Sequence, residues 1–367
     1  FWVMETDPEF GHPKGFLAME HFAAYVSGAE GVSYWLWRKH PAGVEMRHGS
    51  ILASNGTKTR GWEEARKAAL VRAQLEPVLQ EYSPAPAPCA LFRSLPNGMS
   101  MLEVEGFSTV NYYDDLQSHH RSIYDNGVHC DVLYDEDDRS LDPYKVVSTP
   151  LLPYLSEDLA ARLSRWVEAG GIWIIGPFSA YREAGLTAPL DYLWGSVTRQ
   201  LGISPRYIDY PKNPSAVAHL GPVADAPLAL KREAITSSQL CAFPEKECDP
   251  LGRYASGFCE GETAIALYRR GKGSVITIGC QCGKENLRKI YAFACERAGL
   301  PLRTVPSGLT LIPQTGSNGK EAWAVYEWGG RSHKLTLPVA AEDVLSGAHH
   351  VGQMEVPPYS THFIVFA

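Results

Sequence analysis

The chain has 367 residues, of which 45% are hydrophobic and 20% charged, so it is long enough for two or three domains of ordinary globular composition. Its formal net charge of −7 and the absence of a basic run argue against a nucleic-acid partner, because such binding depends on clustered Lys and Arg. No apolar stretch approaches the ~18 residues expected of a membrane span, and the first residues lack the basic region and cleavage site of a signal peptide.

The eight cysteines are scattered, and most stand in apolar stretches. Free cysteine packs as a small hydrophobe, so this distribution predicts reduced thiols and a cytoplasmic location. Cys280 and Cys282 form the only close pair, and no second pair stands at a zinc-like spacing. We therefore expect no metal site and no other cofactor.

The first 48 residues predict two strands with a helix between them. Residues 1–6 are an apolar stretch with a carboxylate, Glu5, near its end, which predicts a buried strand. Residues 16–28 have apolar side chains at helical spacing and close on a glycine, and residues 31–38 predict a second strand. Charged groups follow in residues 41–48. This pattern is typical of the last third of a (β/α)8 TIM barrel, whose parallel strands carry the chemistry at their C-terminal ends.

The rest of the chain predicts an α/β region and then a β region. Residues 62–82 predict a long amphipathic helix, and the Pro- and Ala-rich residues 83–88 predict a stiff linker. Strands then alternate with helices, which implies a parallel sheet, although residues 205–262 are less regular. From residue 306 short strands separated by Gly and Pro predict a small antiparallel domain. The α/β region has predicted strands at 89–92, 129–134, 145–148, 172–175 and 274–279, and predicted helices at 110–126, 156–169 and 285–298.

Several of these features resemble family 42 of the glycoside hydrolases, the β-galactosidases. They are Glu5 after an apolar run, the segment 33–38, and Glu45 three residues before His48. The resemblance runs to the C-terminus and implies that the chain begins inside the catalytic barrel, with the first six barrel strands missing. The implied domains are the end of the barrel at 1–82, a flavodoxin-like, class I glutamine amidotransferase-like α/β trimerisation domain at 83–305, and an antiparallel β domain at 306–367.

The resemblance also assigns roles to single residues. It implies that Glu5 is the nucleophile of a retaining glycosidase, attacking the anomeric carbon as a carboxylate. The family's acid/base glutamate lies on an earlier strand that this chain lacks. Glu45 and His48 match the family's sugar-binding Glu and His, and their acceptor and donor groups suit paired hydroxyls. Trp35 offers an aromatic face to a pyranose, and Arg38 can orient carboxylates bidentately.

Some of these residues also have a purely structural interpretation. Glu5 can pair with an arginine at a strand end, and the loop after the second strand can be simply solvated. Trp37 is expected to pack inside the barrel. The family usually carries a tryptophan a few residues past the nucleophile, but residues 6–13 lack one, so Phe10 or His12 could take its place.

The α/β region resembles class I glutamine amidotransferases, which use a cysteine on a sharp strand-to-helix turn. No cysteine follows the strand at 172–175, and Gln281 occupies the nucleophile position of the segment 279–283. A thiolate nucleophile is therefore not expected. A silent member of this fold could bind a ligand near Phe178, whereas the family resemblance implies a domain that drives trimer formation.

These observations favour a retaining β-galactosidase that acts on small galactosides and is present here without its acid/base residue. We expect it to be a cytoplasmic homotrimer without nucleic-acid or membrane partners. The alternative is a non-catalytic trimerisation module that carries a remnant of the barrel. We expect the trimer interface within residues 89–305, because irregular stretches there hold aromatic residues, which are enriched in interface cores. These are Tyr192, Trp194, Tyr207 and Tyr210, and their rings could instead cover their own sheet.

Overall fold

The computed structural model describes residues 1–9, 11–100, 105–213 and 218–367. Strands β1 and β2 pair in parallel, with Val3 opposite Val32, and helix α1 joins them. This confirms the predicted strand–helix–strand unit, although the second strand ends at Tyr34, four residues earlier than predicted. The first elements of the chain are β1 (Trp2–Thr6), α1 (Phe16–Val26), β2 (Gly31–Tyr34), α2 (Arg60–Glu81) and β3 (Tyr82–Pro84).

Helix α2 is the predicted long amphipathic helix. It begins after Thr59, whose hydroxyl oxygen accepts a hydrogen bond from the backbone N–H of Gly61 at 3.0 Å. Such an N-cap satisfies one of the four N–H groups that a helix start leaves unpaired. The helix buries Ala68 against Leu17 and Ala18 of α1, so one apolar cluster fixes both helices beside the parallel strands.

The middle of the chain forms a nine-stranded sheet with helices between its parallel strands. Its strand order is β10-β9-β12-β13-β14-β7-β6-β4-β5, with β8 and β11 paired separately. The elements are β4 (Cys89–Arg93), α3 (Leu95–Ser100), α4 (Tyr112–Tyr124), β5 (Cys130–Tyr134), β6 (Val146–Thr149), α5 (Glu157–Ala169), β7 (Ile172–Ile175), α6 (Gly195–Leu201), β8 (Tyr207–Asp209), β9 (Ala218–Pro222), β10 (Glu233–Ile235), β11 (Leu240–Ala242), β12 (Asp249–Tyr254), β13 (Thr263–Arg270), β14 (Gly273–Ile278) and α7 (Lys284–Arg297).

The parallel part of this sheet confirms the predicted α/β pattern. Strands β5, β4, β6, β7 and β14 are parallel neighbours, which in chain order is the flavodoxin-like arrangement 2-1-3-4-5. Every residue of β6, β7 and β14 is buried, as expected for parallel strands covered on both faces. The irregular residues 205–262 hold β8 to β12, which are short and antiparallel to their neighbours, so they gave little periodic signal.

The C-terminal residues form the predicted antiparallel strands. The six-stranded sheet has the order β19-β18-β21-β16-β15-β3, and β17 pairs with β20. The predicted linker at 83–88 is therefore wrong at its start, because Ser83 and Pro84 pair with Thr315 and Gln314. Pro84 is tolerated there because β3 is an edge strand. The strands are β15 (Leu309–Gly316), β16 (Glu321–Glu327), β17 (His333–Thr336), β18 (Ala341–Asp343), β19 (Ala348–His350), β20 (Gln353–Val356) and β21 (Thr361–Phe366).

The chain divides into two compact units. One comprises Phe1–Pro86 together with Thr304–Ala367, and the other comprises Ala87–Arg303. The division at 86/87 and 303/304 lies within four residues of the predicted boundaries at 82/83 and 305/306. The first and third predicted domains share the first unit, so separate status for residues 1–82 and 306–367 stays a prediction.

All eight cysteines are free, and six of them are buried. Within the described ranges no three His, Cys, Asp or Glu side chains converge in a way that could hold a metal ion. Across the same residues, no helix is both long and apolar enough to cross a bilayer.

Candidate active site

Glu5 lies on β1, one residue before the strand ends. The parallel pairing brings that end beside the residues after β2, because the Trp35 backbone N–H donates to the Thr6 carbonyl oxygen at 3.0 Å. The strand is not buried as the sequence predicted, since Glu5 is exposed, Trp2 is 57% exposed and Met4 is 75% exposed. The reason is that β1 and β2 form a sheet of two strands, and no other described element covers these side chains.

The end of β1 is anchored to helix α1. The Thr6 hydroxyl donates to a Glu20 carboxylate oxygen at 2.8 Å, and the His21 ring stacks on Tyr34 of β2 with 5.2 Å between centroids. Burial lowers the pKa of His21 to about 4, so this imidazole packs as an uncharged ring at neutral pH. Glu5 itself has no ion-pair or hydrogen-bond partner among the residues that the structure describes, and the pairing with an arginine is not seen there.

The residues after β2 form a loop within the first unit. Trp35 is half-buried, and Arg38 donates from Nε and Nη2 to the Ser54 carbonyl oxygen at 3.0 and 2.6 Å. These bonds hold the loop and occupy two of the three guanidinium nitrogens. Trp37 is 63% exposed and meets the edge of Trp62 at 6.2 Å between ring centroids, so its expected packing inside a barrel is wrong in this chain.

Glu45 and His48 lie together on the next loop, in and just after the 3₁₀ turn Val44–Arg47. Both are half-buried, and each lies near a polar side chain of a neighbouring segment. Glu45 Oε2 is 3.4 Å from His40 Nε2, and His48 Nδ1 is 3.8 Å from Asp7 Oδ2. The two predicted sugar-binding residues are therefore not freely solvated, which argues against the solvated-loop interpretation.

His40 and Asp7 were missed by the sequence analysis. The His40 ring lies 6.2 Å from the ring of Trp35, between centroids, in addition to its contact with Glu45. Asp7 follows Glu5 by two residues at the end of β1. Because titratable groups just past the C-terminal ends of barrel strands are candidate site residues, both positions could have been selected from the sequence.

One of the two candidates for the missing tryptophan can be placed. His12 stacks on Phe16, the first residue of α1, with 4.7 Å between ring centroids and an interplanar angle of 15°. The His12 ring therefore already packs against an aromatic side chain. Phe10, the other candidate, lies outside the described residues.

The turn after β14 resembles an amidotransferase nucleophile turn but is filled by polar contacts. The Gln281 amide donates to the Thr109 carbonyl oxygen at 3.0 Å and to Asp115 Oδ2 at 3.2 Å, and it accepts from the Thr109 hydroxyl at 2.6 Å. A hydrogen bond with Cys280, together with burial, raises the pKa of the Cys282 thiol well above its usual range. The Cys282 thiol beside Gln281 is thus held in its protonated form.

The α/β unit also has a crevice at the carboxyl ends of β4, β5 and β6, with a volume of about 790 Å³. Its lining includes Asn97, Asp135, Tyr154 and Arg162. This is the topological switch point of a 2-1-3-4-5 sheet, where ligands of such folds usually bind. The ligand site expected from the sequence lay instead near Phe178, which is buried with its ring 5.1 Å from that of Phe107.

A carboxylate at the C-terminal end of a parallel strand, as Glu5 is on β1, stands where (β/α)8 barrel enzymes place their catalytic residues. Residues 90–301 match the family model described as "Beta-galactosidase trimerisation domain", and residues 1–74 match the one described as "Beta-galactosidase". The first model alone covers more than half of the chain. The chain therefore belongs to family 42 of the glycoside hydrolases.

Named relatives agree with this assignment. The chain is 27% identical to "Beta-galactosidase YesZ" of Bacillus subtilis over all of this chain and 56% of that protein. It is 29% identical to "Beta-galactosidase GanA" of the same organism over 92% of this chain and 49% of that protein. The chain thus spans about half the length of the relatives that it matches.

Solved structures share the fold. A β-galactosidase from Bacillus circulans sp. alkalophilus superimposes with a TM-score of 0.86 at 20% identity, covering 100% of this chain and 55% of that one. The enzyme from Rahnella sp. R3 gives a TM-score of 0.82 at 20% identity, covering 96% of this chain and 51% of that one. At these identities the similarity establishes the fold only.

Proposed function

We propose that this chain is the C-terminal part of a retaining β-galactosidase and that Glu5 is the catalytic nucleophile. The observation that carries the proposal is the parallel pairing of β1 and β2, which places the end of β1 with Glu5 beside Trp35. The loop with Glu45 and His48 follows the same pair of strands.

In this mechanism Glu5 attacks the anomeric carbon of a terminal β-D-galactoside and forms a covalent glycosyl-enzyme. A second carboxyl group, about 5–5.5 Å away, protonates the leaving oxygen and later activates the water that hydrolyses the intermediate. We propose that this acid/base glutamate belongs to residues of the whole protein that precede this chain. The exposed apolar residues of β1 support this, because further barrel strands would cover them.

The other predicted site residues would hold the sugar. Trp35 can stack on the apolar face of a pyranose, and Glu45 and His48 can bind its hydroxyl groups. Arg38 has two guanidinium nitrogens on Ser54, so its proposed role in orienting a carboxylate or substrate depends on the third. The mechanism uses only side chains and water, so we propose that no cofactor takes part.

The activity proposal is tested with nitrophenyl β-galactoside and two proteins: the full-length enzyme and the 367-residue chain. We expect turnover by the full-length enzyme and none by the chain. General acid assistance typically contributes about 10²–10⁴-fold, and most of the substrate site would also be absent. Substantial turnover by the chain alone would contradict the proposal, and a full-length protein that is inactive but oligomeric would favour the assembly-module alternative.

We also propose that the α/β unit builds a cytoplasmic homotrimer. The family description of residues 90–301 supports assembly, and the free cysteines suit a reducing compartment. Among the aromatic residues selected from the sequence, Tyr192 is 50% and Tyr210 44% exposed, whereas Trp194 is buried against Phe243 and serves its own core. Light scattering of the full-length protein at micromolar concentration should give three chains, and a mass of one or two chains rejects the trimer.

A further inference from the structure

His40 contacts two of the proposed sugar-binding residues at once. Its Nε2 is 3.4 Å from Glu45 Oε2, and its ring lies 6.2 Å from the ring of Trp35, between centroids, at a tilt of 46°. An imidazole in this position can act on the carboxylate and on the indole together. No hydrogen bond to the Glu45 carboxylate is seen among the described residues, and the His40 ring is the polar group beside it.

Asp7 has the same relation to His48. Asp7 Oδ2 is 3.8 Å from His48 Nδ1, and both Asp7 Oδ1 and His48 Nδ1 are buried without a hydrogen-bond partner among the residues that the structure describes. The Asp7 carboxylate is therefore the acidic group that faces this His48 nitrogen. Asp7 belongs to the strand end that carries Glu5, so this pair connects the proposed nucleophile segment to the sugar-binding loop.

The backbone keeps these two loops close together. A Cβ at Gly49 would lie 2.9 Å from the Glu9 backbone nitrogen, so only glycine allows the segment after β1 to approach the segment after His48 this closely. The Arg60 guanidinium also donates to the Glu9 carbonyl oxygen at 3.3 Å. These contacts hold Asp7 and His48 on facing segments of the same unit.

We propose that His40 and Asp7 are positioning residues, which set the directions of Glu45 and His48 for binding of the galactose hydroxyls. This inference rests on the proposed function of the same site. Neither residue needs to touch the reacting atoms. Each acts through its partner, by holding a carboxylate or an imidazole in the orientation that the sugar requires.

A purely structural role for these pairs predicts a different result. The side chains of His40 and Glu45 are 44% and 47% exposed, and ion pairs at such exposure contribute little to stability. Loss of His40 should therefore leave the melting temperature nearly unchanged while sugar binding weakens. A structural role would instead lower the melting temperature and leave the kinetic constants of the folded enzyme unchanged.

The test uses the full-length enzyme with nitrophenyl β-galactoside as substrate and galactose as competitive inhibitor. We expect His40→Gln and Asp7→Asn to lower kcat/KM by roughly tenfold to a hundredfold, the range that a small misplacement of a site group produces. Most of this loss should appear in KM and in weaker inhibition by galactose. The matched controls His349→Gln and Asp142→Asn change exposed residues of other regions. They should leave the KM and the inhibition constant of galactose unchanged.

Double variants decide whether His40 and Asp7 act through their partners. If they do, His40→Gln adds little to the defect of Glu45→Gln, and Asp7→Asn adds little to that of His48→Gln, because each pair works as one unit. Effects that multiply independently would overturn the proposal, as would a lowered melting temperature with unchanged KM. His40→Asn and Asp7→Ser repeat the test if a first variant folds poorly, and a wild-type enzyme without turnover refutes the proposed function itself.

Discussion

Among the residues that the structure describes, two sheets contain parallel strand pairs, and these sheets differ in how far their side chains are buried. In the α/β unit every residue of β6, β7 and β14 is buried. In the two-stranded sheet, β1 exposes both Trp2 and Met4. Parallel strands are normally covered on both faces, and a two-stranded sheet is at best marginally stable alone. The fully buried parallel strands and the strand that carries the candidate nucleophile are therefore in different regions of the chain.

The two regions also differ in how their polar side chains are paired. Gln281, at the nucleophile position of the α/β unit, uses both atoms of its amide in three hydrogen bonds with Thr109 and Asp115. Glu5 has none among the described residues. Both N–H donors of this amide are already used, whereas an exposed and unpaired carboxylate is free to meet a substrate. This contrast agrees with the proposal that Glu5 is reactive and that the α/β domain is catalytically silent.

The largest effect that we predict is the loss of turnover in Glu5→Ala. In the full-length enzyme this change should lower kcat by about 10⁴-fold or more, because it removes the group that forms the covalent bond. A 2-fluoro-galactoside should label the peptide that contains Glu5, as found by mass spectrometry of a digest. Labelling at Glu45 would reverse the assignment.

Glu45→Ala and His48→Ala provide the comparison for that experiment. They should chiefly raise KM and lower kcat less than Glu5→Ala does, because hydroxyl-binding groups contribute to substrate and transition-state binding alike. A loss of kcat equal to that of Glu5→Ala at unchanged KM would show that the two residues take part in the chemical step.

The next prediction concerns stability and tests the difference in side-chain burial between β7 and β1. Ile174→Ala, in the middle of β7 and fully buried, should lower the free energy of unfolding by about 2–5 kcal/mol. Met4→Ala, at a side chain that is 75% exposed, should change it by less than about 0.5 kcal/mol. Calorimetric unfolding of the 367-residue chain measures both. Comparable destabilisation by the two changes would mean that β1 is covered in solution.

Regular periodic elements were predictable from the sequence. Helix α5 shows why: Ser156 accepts from the Leu159 N–H at 3.2 Å, and the helix ends at Gly170 with φ 129°, so both ends carry local signals. The predicted strand over residues 31–38 was wrong after Tyr34, because the apolar run continues through Leu36 whereas the backbone pairing with β1 ends at the hydrogen bond from the Trp35 N–H to the Thr6 carbonyl oxygen. The hydrophobic composition of a segment does not show where its backbone stops pairing in a sheet.

Side-chain partners were harder to predict than elements. The residues named for the site do lie on the end of β1 and on the segment and loop after β2, but the partners His40 and Asp7 depend on how those segments fold against each other. The same limit explains Trp194, whose sequence context matches that of exposed Tyr192 although it is buried. The local sequence does not show which face of an irregular segment packs against the core.

The smallest predicted effect is a pH dependence that comes from Asp115 in the α/β unit. Burial raises the pKa of Asp115 from 3.8 to about 6, although hydrogen bonds from Gln281 and from the Asn111 N–H oppose the shift. A raised carboxyl pKa means that the folded state binds the proton more tightly than the unfolded state does. The contribution of Asp115 to stability is therefore fully present below about pH 4 and is lost as the pH rises through about 6.

Asp115→Asn should remove this dependence, because the amide cannot ionise. The difference in unfolding free energy between the variant and the parent chain should then shift in favour of the variant as the pH rises from about 4 to about 7. Chemical denaturation at several pH values measures that difference, and other titrating groups, such as buried His119, cancel because both proteins contain them. A difference that stays constant with pH would show that Asp115 keeps its ordinary pKa, and that the polar cluster around Gln281 is open to water.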